Sequence, residues 1–260
     1  MLANYHTHTI RCGHAVGADR EYVEHAIEAG LKILGFSDHV PVNFDGGYRS
    51  GIRMPSELAP DYFESLLALK DEYHKEIQIL IGFEMEYFPE YFDRTIAMIS
   101  DYPVDYLILG QHYLYNEIGA HRTTQPTDRA DYLIQYVEQC IEGLSKGCFT
   151  YFAHPDTLNF TGDPELYTQQ MRKLCEHAKL LNVPLELNLT GMRMPYIYPH
   201  EPFFKIAAEV GNPVILGFDA HEPQAITRKD TVREGMKLAK KCGLTVLETA
   251  EIRNPFAWQK

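Results

Sequence analysis

The sequence predicts an α/β barrel of parallel strands, and three observations favour this class. Short apolar runs alternate with amphipathic segments of helical period along the 260 residues, a pattern typical of βα units. About seven such units follow one another without a linker or a low-complexity segment. The apolar runs repeatedly end in His, Asp or Glu, as expected where the strands of a barrel open onto one face. We therefore expect a single domain spanning residues 1–260.

Each element has a local reason in the sequence. The run IQILIGF reads as a buried strand, Gly30 ends the first helix, and Pro55 and Pro164 begin later ones, because glycine closes helices and proline fits their first turn. The predicted strands are Leu2–His6, Ile33–Ser37, Ile77–Phe83, Tyr106–Leu109, Cys148–Ala153, Pro184–Leu187 and Pro213–Phe218. The predicted helices are Arg20–Ala29, Pro55–His74, Glu90–Ser100, Arg129–Ser145, Pro164–Leu181, His200–Val210 and Thr231–Lys241.

Composition narrows the class of protein and its partners. No apolar run approaches the roughly 18 residues of a membrane span, and the N-terminus lacks the features of a signal peptide. The five cysteines are odd in number and form no CxxC pair, which favours reduced thiols and a cytoplasmic location. A net charge of −12, from 24 basic and 36 acidic residues, disfavours a nucleic-acid polymer as partner. A small phosphorylated substrate remains compatible with this charge, because metal ions reverse the local potential.

Two His-containing pairs indicate metal binding. In His6-Thr7-His8 the imidazoles are two positions apart, and side chains at that spacing in a strand point to the same side. Asp219-Ala220-His221 repeats this spacing after a strand at the other end of the chain. A closed barrel makes its first and last strands neighbours, so the two pairs are expected to meet.

Further metal-binding residues follow the intervening strands. Glu84 comes directly after the IQILIGF strand, and its two oxygens can bridge two ions while His112 and His154 complete the second. His14 and His39, with His221, leave neutral imidazoles for a third ion and suit Zn, Fe or Mn. Asp38 is expected to orient a ligand imidazole, Asn188 to hydrogen-bond within the site, and Cys12 to be a small buried thiol rather than a ligand.

These residues lie in motifs that resemble the PHP (polymerase and histidinol phosphatase) family, and within it the monofunctional histidinol-phosphate phosphatases. The resemblance covers nearly the whole chain. The motifs are YHTHT followed by CGHA, then GFSDH at 35–39, GFEMEYFPE at 82–90, LGQH at 109–112, FAHPD at 152–156, LELNLTG at 185–191 and GFDAHEP at 217–223. The chain departs from the family in having Phe218 where Ser is usual, and LGQH in place of Gly-Ser-Val-His.

The resemblance implies a distorted (β/α)7 TIM-like barrel with a trinuclear metal site at the carboxyl ends of the strands. It implies three divalent ions with three ligand sets. These sets are His6, His8, Glu84 and Asp219 for the first ion, Glu84, His112 and His154 for the second, and His14, His39 and His221 for the third.

The resemblance also implies a reaction, the hydrolysis of L-histidinol phosphate in histidine biosynthesis by a hydroxide that bridges two of the ions. Asp219 and His221 are the candidates for passing a proton to the leaving group. Candidate substrate-binding residues lie in loops on the predicted catalytic face, chiefly arginines, whose guanidinium matches phosphate oxygens. They are Arg193, Arg49, Arg53, Arg122 and His200.

Three other classes stay open on the sequence. A nuclease or nucleotide phosphoesterase of the same family would share every ligand and differ in its loops. An amidohydrolase also begins with HxH and has Asp at a strand end, but usually has eight units and often a carboxylated Lys as the bridge. A non-catalytic metal-binding domain is the third, although every expected ligand is present. The sequence leaves the oligomeric state undetermined.

Overall fold

The computed structural model describes residues 1–194 and 197–256, and one sheet of eight parallel strands forms its centre. Residues 195–196 and 257–260, which the expected domain includes, lie outside the described residues. The strands are arranged in chain order. They are β1 Ala3–Asn4, β2 Ile33–His39, β3 Gln78–Met85, β4 Tyr106–Leu109, β5 Phe149–Phe152, β6 Leu185–Asn188, β7 Pro213–Gly217 and β8 Thr245–Leu247.

Helices alternate with the strands, as the sequence predicts. In the described part of the chain they are α1 Asp19–Ala29, α2 Ala59–Glu72, α3 Phe92–Ile99, α4 Ala130–Ser145, α5 Pro164–Leu180, α6 Glu201–Val210 and α7 Lys229–Cys242. The predicted start of the second helix was early, because Ser56–Leu58 forms a separate 3-10 turn before α2. The α/β barrel class is confirmed.

The expectation of seven strands needs one addition. The short β8 follows α7 and pairs with β7 through Pro213–Ile215, at the amino end of that strand. At the other end of β7, the amide of His8 donates to the carbonyl of Ala220 at 2.9 Å, and the amide of Ala220 donates to the carbonyl of His6 at 3.2 Å. The first and seventh strands therefore meet at the carboxyl end, where the metal-binding residues were predicted.

Strand β3 illustrates how sequence alternation divides its side chains between two environments. Ile81 and Phe83 pack into the apolar layer between sheet and helices. Leu80, in contrast, belongs to a smaller cluster made of side chains from several strands, and Glu84 lies among the histidines. Because successive strand residues point to opposite faces, the same strand supplies both the core and the site.

A layer of tyrosines fills the barrel interior. The rings of Tyr106 and Tyr151 pack edge-to-face against Tyr5, with centroids 6.0 and 6.3 Å away. The Tyr106 hydroxyl donates to the carbonyls of Tyr5 at 2.6 Å and Phe36 at 3.0 Å. A Cβ at Gly35 would overlap this hydroxyl, so the glycine makes room for it. Tyr151 also donates to Glu186 at 3.4 Å, linking this layer to the site.

All five cysteines are unpaired. Among the described residues, none of the helices combines the length and the apolar character needed to cross a membrane.

Candidate metal centre

The nine predicted metal ligands come together at the carboxyl ends of the strands. Glu84 lies near the centre of this cluster, with five imidazoles around its carboxylate. The distances from a ring nitrogen to the nearer Glu84 oxygen are 2.7 Å for His154, 3.1 Å for His39, 3.4 Å for His6 and His112, and 3.5 Å for His8. One carboxylate thus reaches imidazoles from four segments of the chain.

Smaller groups within the cluster have the spacing of a metal site. In each group one ligand atom from every member lies within 4.8 Å of the others. The groups include His6, His8 and Asp219; His6, Glu84 and His154; and His14, His39 and His221. The first and third match subsets predicted for two separate ions. In the third, the Nε2 atoms of His14 and His221 are 3.0 Å apart.

The cluster contains buried polar atoms that the protein itself does not satisfy. Both ring nitrogens of His8 lack a hydrogen-bond partner, as do Nε2 of His6, Nδ1 of His39, Nδ1 of His154 and Oε2 of Glu84. Buried polar groups are nearly always hydrogen-bonded, because an unsatisfied one costs about 1–3 kcal/mol. Nitrogen and carboxylate donors in this number fit divalent cations of the zinc, iron or manganese type.

The charges of the buried carboxylates support the same conclusion. Burial would raise the pKa of Glu84, but the imidazoles of His112, His39 and His6 hold it well below its usual value. The pKa of Asp219 is likewise well below its usual value despite burial, because His6 and His8 lie against it. Both side chains are therefore anionic at neutral pH and require positive charge nearby.

The imidazoles divide into two electrostatic groups. Burial lowers the pKa of His221 to about 4 and holds the pKa of His39 well below its usual value. Burial also opposes protonation of His6, but Glu186, Asp219 and Glu84 together raise its pKa well above the usual value. His221 and His39 are thus neutral near pH 7, the form in which imidazole binds metal.

Two of these residues have strained backbones. His154 has φ of 31° and Asp219 has φ of 48°, in the left-handed region that residues with a Cβ rarely adopt. Such conformations cost about 1–3 kcal/mol each and are concentrated at functional sites. The tertiary structure therefore holds both residues in a backbone conformation that residues with a Cβ do not favour.

Glu186 supports the cluster and was not among the residues predicted from the sequence. Its Oε1 lies 2.8 Å from Nδ1 of His6, and its Oε2 accepts from the amide of His154 at 3.0 Å and from Asn188 at 2.9 Å. Asn188 also donates to Asp219 at 3.2 Å, as its predicted place in the site requires. The LELN motif contained a signal for Glu186. Glu186 lies two positions before Asn188, so the two side chains share one face of β6.

Asp38 lies beside the cluster but forms no hydrogen bond to the imidazole of His8. Its Oδ1 is 3.5 Å from Nδ1 of His8, and its Oδ2 accepts from the Thr9 hydroxyl at 2.5 Å. Cys12 is buried, as expected, but its sulfur also lies within 4.8 Å of ring nitrogens of His8 and His221. The thiol is thus in contact range of the cluster rather than remote from it.

Arg53 was predicted to bind the substrate, but the structure places it away from the cavity. It is buried, forms an ion pair with Glu86, and donates from Nε to Glu117 at 2.7 Å. Glu86 in turn accepts from the amide of His112 at 2.5 Å and lies 3.1 Å from its Nδ1. Arg53 therefore supports a candidate ligand through Glu86 and is not available to a substrate phosphate. Glu86 was missed because its role depends on this packing.

A cavity of about 610 Å³ opens above the histidine cluster. Its walls include Arg122, Arg193, Met194 and Glu222, and Asp219 lies on its lining. Arg193 donates from Nη2 to Glu222 at 2.6 Å, whereas its buried Nε has no hydrogen-bond partner. Two of the predicted substrate-binding arginines thus lie beside the cluster.

Two other predicted substrate-binding residues are not on this cavity. Arg49 is highly exposed and lies 3.4 Å from Glu57 in a separate surface depression. Nδ1 of His200 lies 2.9 Å from the Tyr167 hydroxyl, and its amide donates to Asp156. Both residues lie in loops that were predicted to be on the catalytic face. In the structure, however, neither side chain lines the cavity.

The departure at Phe218 leaves the cluster intact. The Phe218 side chain packs in the apolar layer beneath the helices, and its amide donates to Asn4 at 2.9 Å. A serine at this position would therefore belong to the same layer, on the side of the strand away from the predicted metal-binding residues.

Comparison with known proteins agrees with this arrangement. The sequence model of the PHP domain family matches residues 4–190. A probable histidinol-phosphatase of Deinococcus radiodurans is 32% identical over 250 residues, covering 90% of this chain and 92% of that protein. Both observations show the family to which the sequence belongs.

Solved structures share the fold. A histidinol phosphate phosphatase from Lactococcus lactis, in complex with zinc, L-histidinol and phosphate, has a TM-score of 0.72 at 21% identity and covers 96% of each chain. A putative histidinol phosphatase from Listeria monocytogenes has a TM-score of 0.71 at 22% identity, covering 88% of this chain and 99% of that one. From the matched sequence, with the fold in agreement, we conclude that this chain is a member of the PHP domain family.

Proposed function

We propose that the chain is a metal-dependent phosphomonoesterase that hydrolyses L-histidinol phosphate to L-histidinol and inorganic phosphate. The observation that carries this proposal is the cluster around Glu84, with its unsatisfied buried nitrogen and oxygen atoms beneath an open cavity. The 32% identity to a probable histidinol-phosphatase, over nearly the whole of both chains, supports the substrate.

Three ion positions are proposed for this centre. His6, His8, Glu84 and Asp219 would hold the first ion, Glu84, His112 and His154 the second, and His14, His39 and His221 the third. Divalent cations at such positions supply a hydroxide nucleophile near neutral pH and positive charge against the phosphoryl oxygens. The zinc of the Lactococcus lactis complex supports zinc as one occupant, and the donor set also suits iron and manganese.

The protein side chains have separate roles in the proposed reaction. Arg193 and Arg122, on the cavity wall, would donate to phosphate oxygens. Asp219 lines the cavity as a carboxylate, so we assign to it the transfer of a proton from the attacking water. That proton would then be available to the departing alkoxide. His221 is neutral near pH 7 and suits ligation better than proton donation.

We further propose that residues 1–260 form one domain and that the protein acts in the cytoplasm. A single eight-stranded sheet runs from Ala3 to Leu247, which supports one folding unit. The unpaired cysteines are compatible with a reducing compartment.

The test combines metal analysis with a substrate screen. Protein purified without added metal is analysed for zinc, iron and manganese, then assayed for phosphate release from L-histidinol phosphate, nucleoside monophosphates and amides. We expect turnover of L-histidinol phosphate, its loss after chelation, and its recovery when zinc or manganese is returned. A preference for nucleotides of a hundredfold or more, or hydrolysis of amides alone, would refute the proposed substrate.

A further inference from the structure

An acidic residue lies on the wall of the cavity proposed to bind phosphate. Glu222 follows His221 directly in the chain and lines the same cavity as Arg193. A carboxylate beside a bound phosphate would repel it, since like charges in a partly buried site raise the free energy of binding. Glu222 is not among the residues proposed to bind metal. The groups around Glu222 therefore decide what this carboxylate can do in the cavity.

Two arginines fix the orientation of this carboxylate. Arg193 donates to Oε1 of Glu222 at 2.6 Å, and Arg228 donates to the same oxygen at 2.9 Å. The other oxygen, Oε2, has no hydrogen bond to any residue in the described part of the chain. The side chain is 37% exposed and lines the cavity, so a ligand there can reach the carboxylate. A carboxylate fixed on one oxygen and open on the other is preorganised to accept a donor.

The surrounding wall fits the remainder of a small amino alcohol. Val16 and Met194 line the cavity and are 59% and 45% exposed, and Ile52 lies on the same lining. A phosphate placed against the histidine cluster would direct its organic group towards this wall. The wall thus offers apolar surface for a ring and one anionic group for an amine.

We propose that Glu222 is a specificity-determining residue that binds the primary ammonium group of the substrate. The cavity would then prefer phosphomonoesters with an amine close to the phosphate, a property of L-histidinol phosphate. This inference rests on the proposed phosphomonoesterase function and specifies which phosphomonoesters that site accepts.

The experiment compares two substrates that differ only in the amine. One is L-histidinol phosphate, and the other is the analogue in which hydrogen replaces the amino group. The measured quantity is the ratio of their kcat/KM values in wild type and in Glu222→Gln. We expect the ratio to fall about tenfold to a hundredfold in the variant, mainly through KM of the amine-bearing substrate, because a hydrogen bond between two charged groups is lost.

Two further variants help to distinguish binding of the amine by Glu222 from an indirect effect of Glu222 on Arg193. Arg228→Gln keeps Glu222 but removes one of its two anchors, so a smaller decrease in the ratio is expected. Glu138→Gln is the matched control, because the Glu138 carboxylate is exposed on α4 and pairs with Lys173 at 3.6 Å. An equal loss for both substrates in Glu222→Gln would mean that Glu222 acts only through Arg193, and would overturn the proposal. An unchanged ratio would also overturn it.

Failure of the histidinol assignment can be separated from failure of this inference. If wild type does not hydrolyse L-histidinol phosphate, the same ratio is measured with aminoethyl phosphate and ethyl phosphate. A wild-type preference for the amine that disappears in Glu222→Gln would support amine recognition although the proposed substrate is wrong. No wild-type preference in this pair would refute amine recognition.

Discussion

The floor of the cavity and its wall are built from different parts of the chain. The metal-ligand floor, defined here as His6, His8, Glu84, His154 and Asp219, adjoins strand ends and is at most 6% exposed. The cavity wall, defined here as Arg122, Arg193, Met194 and Glu222, lies on loops, and the side chains of Arg193 and Glu222 are 20% and 37% exposed.

The floor and the wall differ in what holds them in place, and we expect them to differ in their roles. Hydrogen bonds to Glu186 and the backbone of neighbouring strands fix the floor, so its geometry is part of the fold. The wall depends on ion pairs between loop residues, such as Arg193 with Glu222. Changes in the floor should therefore abolish the proposed chemistry, whereas changes in the wall should alter which substrate binds.

The largest effect is expected from Glu84→Ala. Glu84 contacts five imidazoles, so its loss should remove bound metal and reduce turnover about a thousandfold or more. Elemental analysis and phosphate release measure the two effects. His177→Ala is the control, because that side chain lies on α5 near the Ser145 hydroxyl and should retain near wild-type activity. Full activity in Glu84→Ala would show that the floor is not the reaction centre.

A smaller effect is expected from Glu86→Gln. Glutamine removes the negative charge that lies against both His112 and Arg53, so the ring of His112 becomes a weaker ligand. Changes of this kind cost about tenfold to a hundredfold in metal affinity or activity. Turnover measured against zinc concentration should shift by that factor and recover at high zinc.

Glu57→Gln is the control for Glu86→Gln, since Glu57 pairs with Arg49 on the exposed surface. Unchanged zinc dependence in Glu86→Gln would mean that the link from Arg53 to His112 has no role in metal binding.

A change in the wall should affect binding more than chemistry. Arg193→Gln removes a guanidinium beside the cluster, and we expect KM and the inhibition constant of inorganic phosphate to rise about tenfold. The metal content should be retained. Arg172→Gln, at an exposed ion pair with Glu209, is the matched control. Loss of metal in Arg193→Gln would contradict the separation of floor and wall.

The smallest effect concerns Asp156, a buried carboxyl close to the floor. It follows His154 by two residues and accepts from the amide of His200 at 2.5 Å, and burial raises its pKa to about 7. The folded protein therefore holds a proton on Asp156 that the unfolded chain releases near pH 4. The stability that this proton provides is complete below about pH 4 and is lost as the pH rises through 7.

Asp156→Asn removes this titration. We expect the melting temperature of the variant, relative to wild type, to increase between pH 5 and pH 8. Calorimetry at saturating zinc measures both proteins across this range. Parallel pH profiles would show that Asp156 does not titrate between the folded and unfolded states.

Much of the fold followed from local patterns in the sequence. The period-two spacing in His6-Thr7-His8 and Asp219-Ala220-His221, and the position of Glu84 at the end of a continuous apolar run, predicted which side chains lie together. The short β8 was missed because three residues carry too little periodicity to separate a strand from a loop.

The roles of the supporting residues depended on the tertiary structure. Arg53 and Arg193 are both loop arginines, and nothing local distinguishes the one buried against Glu86 from the one beside the cavity. By itself, the sequence determined seven of the strands and the residues near their carboxyl ends, since a strand's alternation is set by neighbouring positions. Only the tertiary structure decided the partners of Glu186, Glu86 and Glu222, because those contacts join segments whose approach depends on the whole barrel.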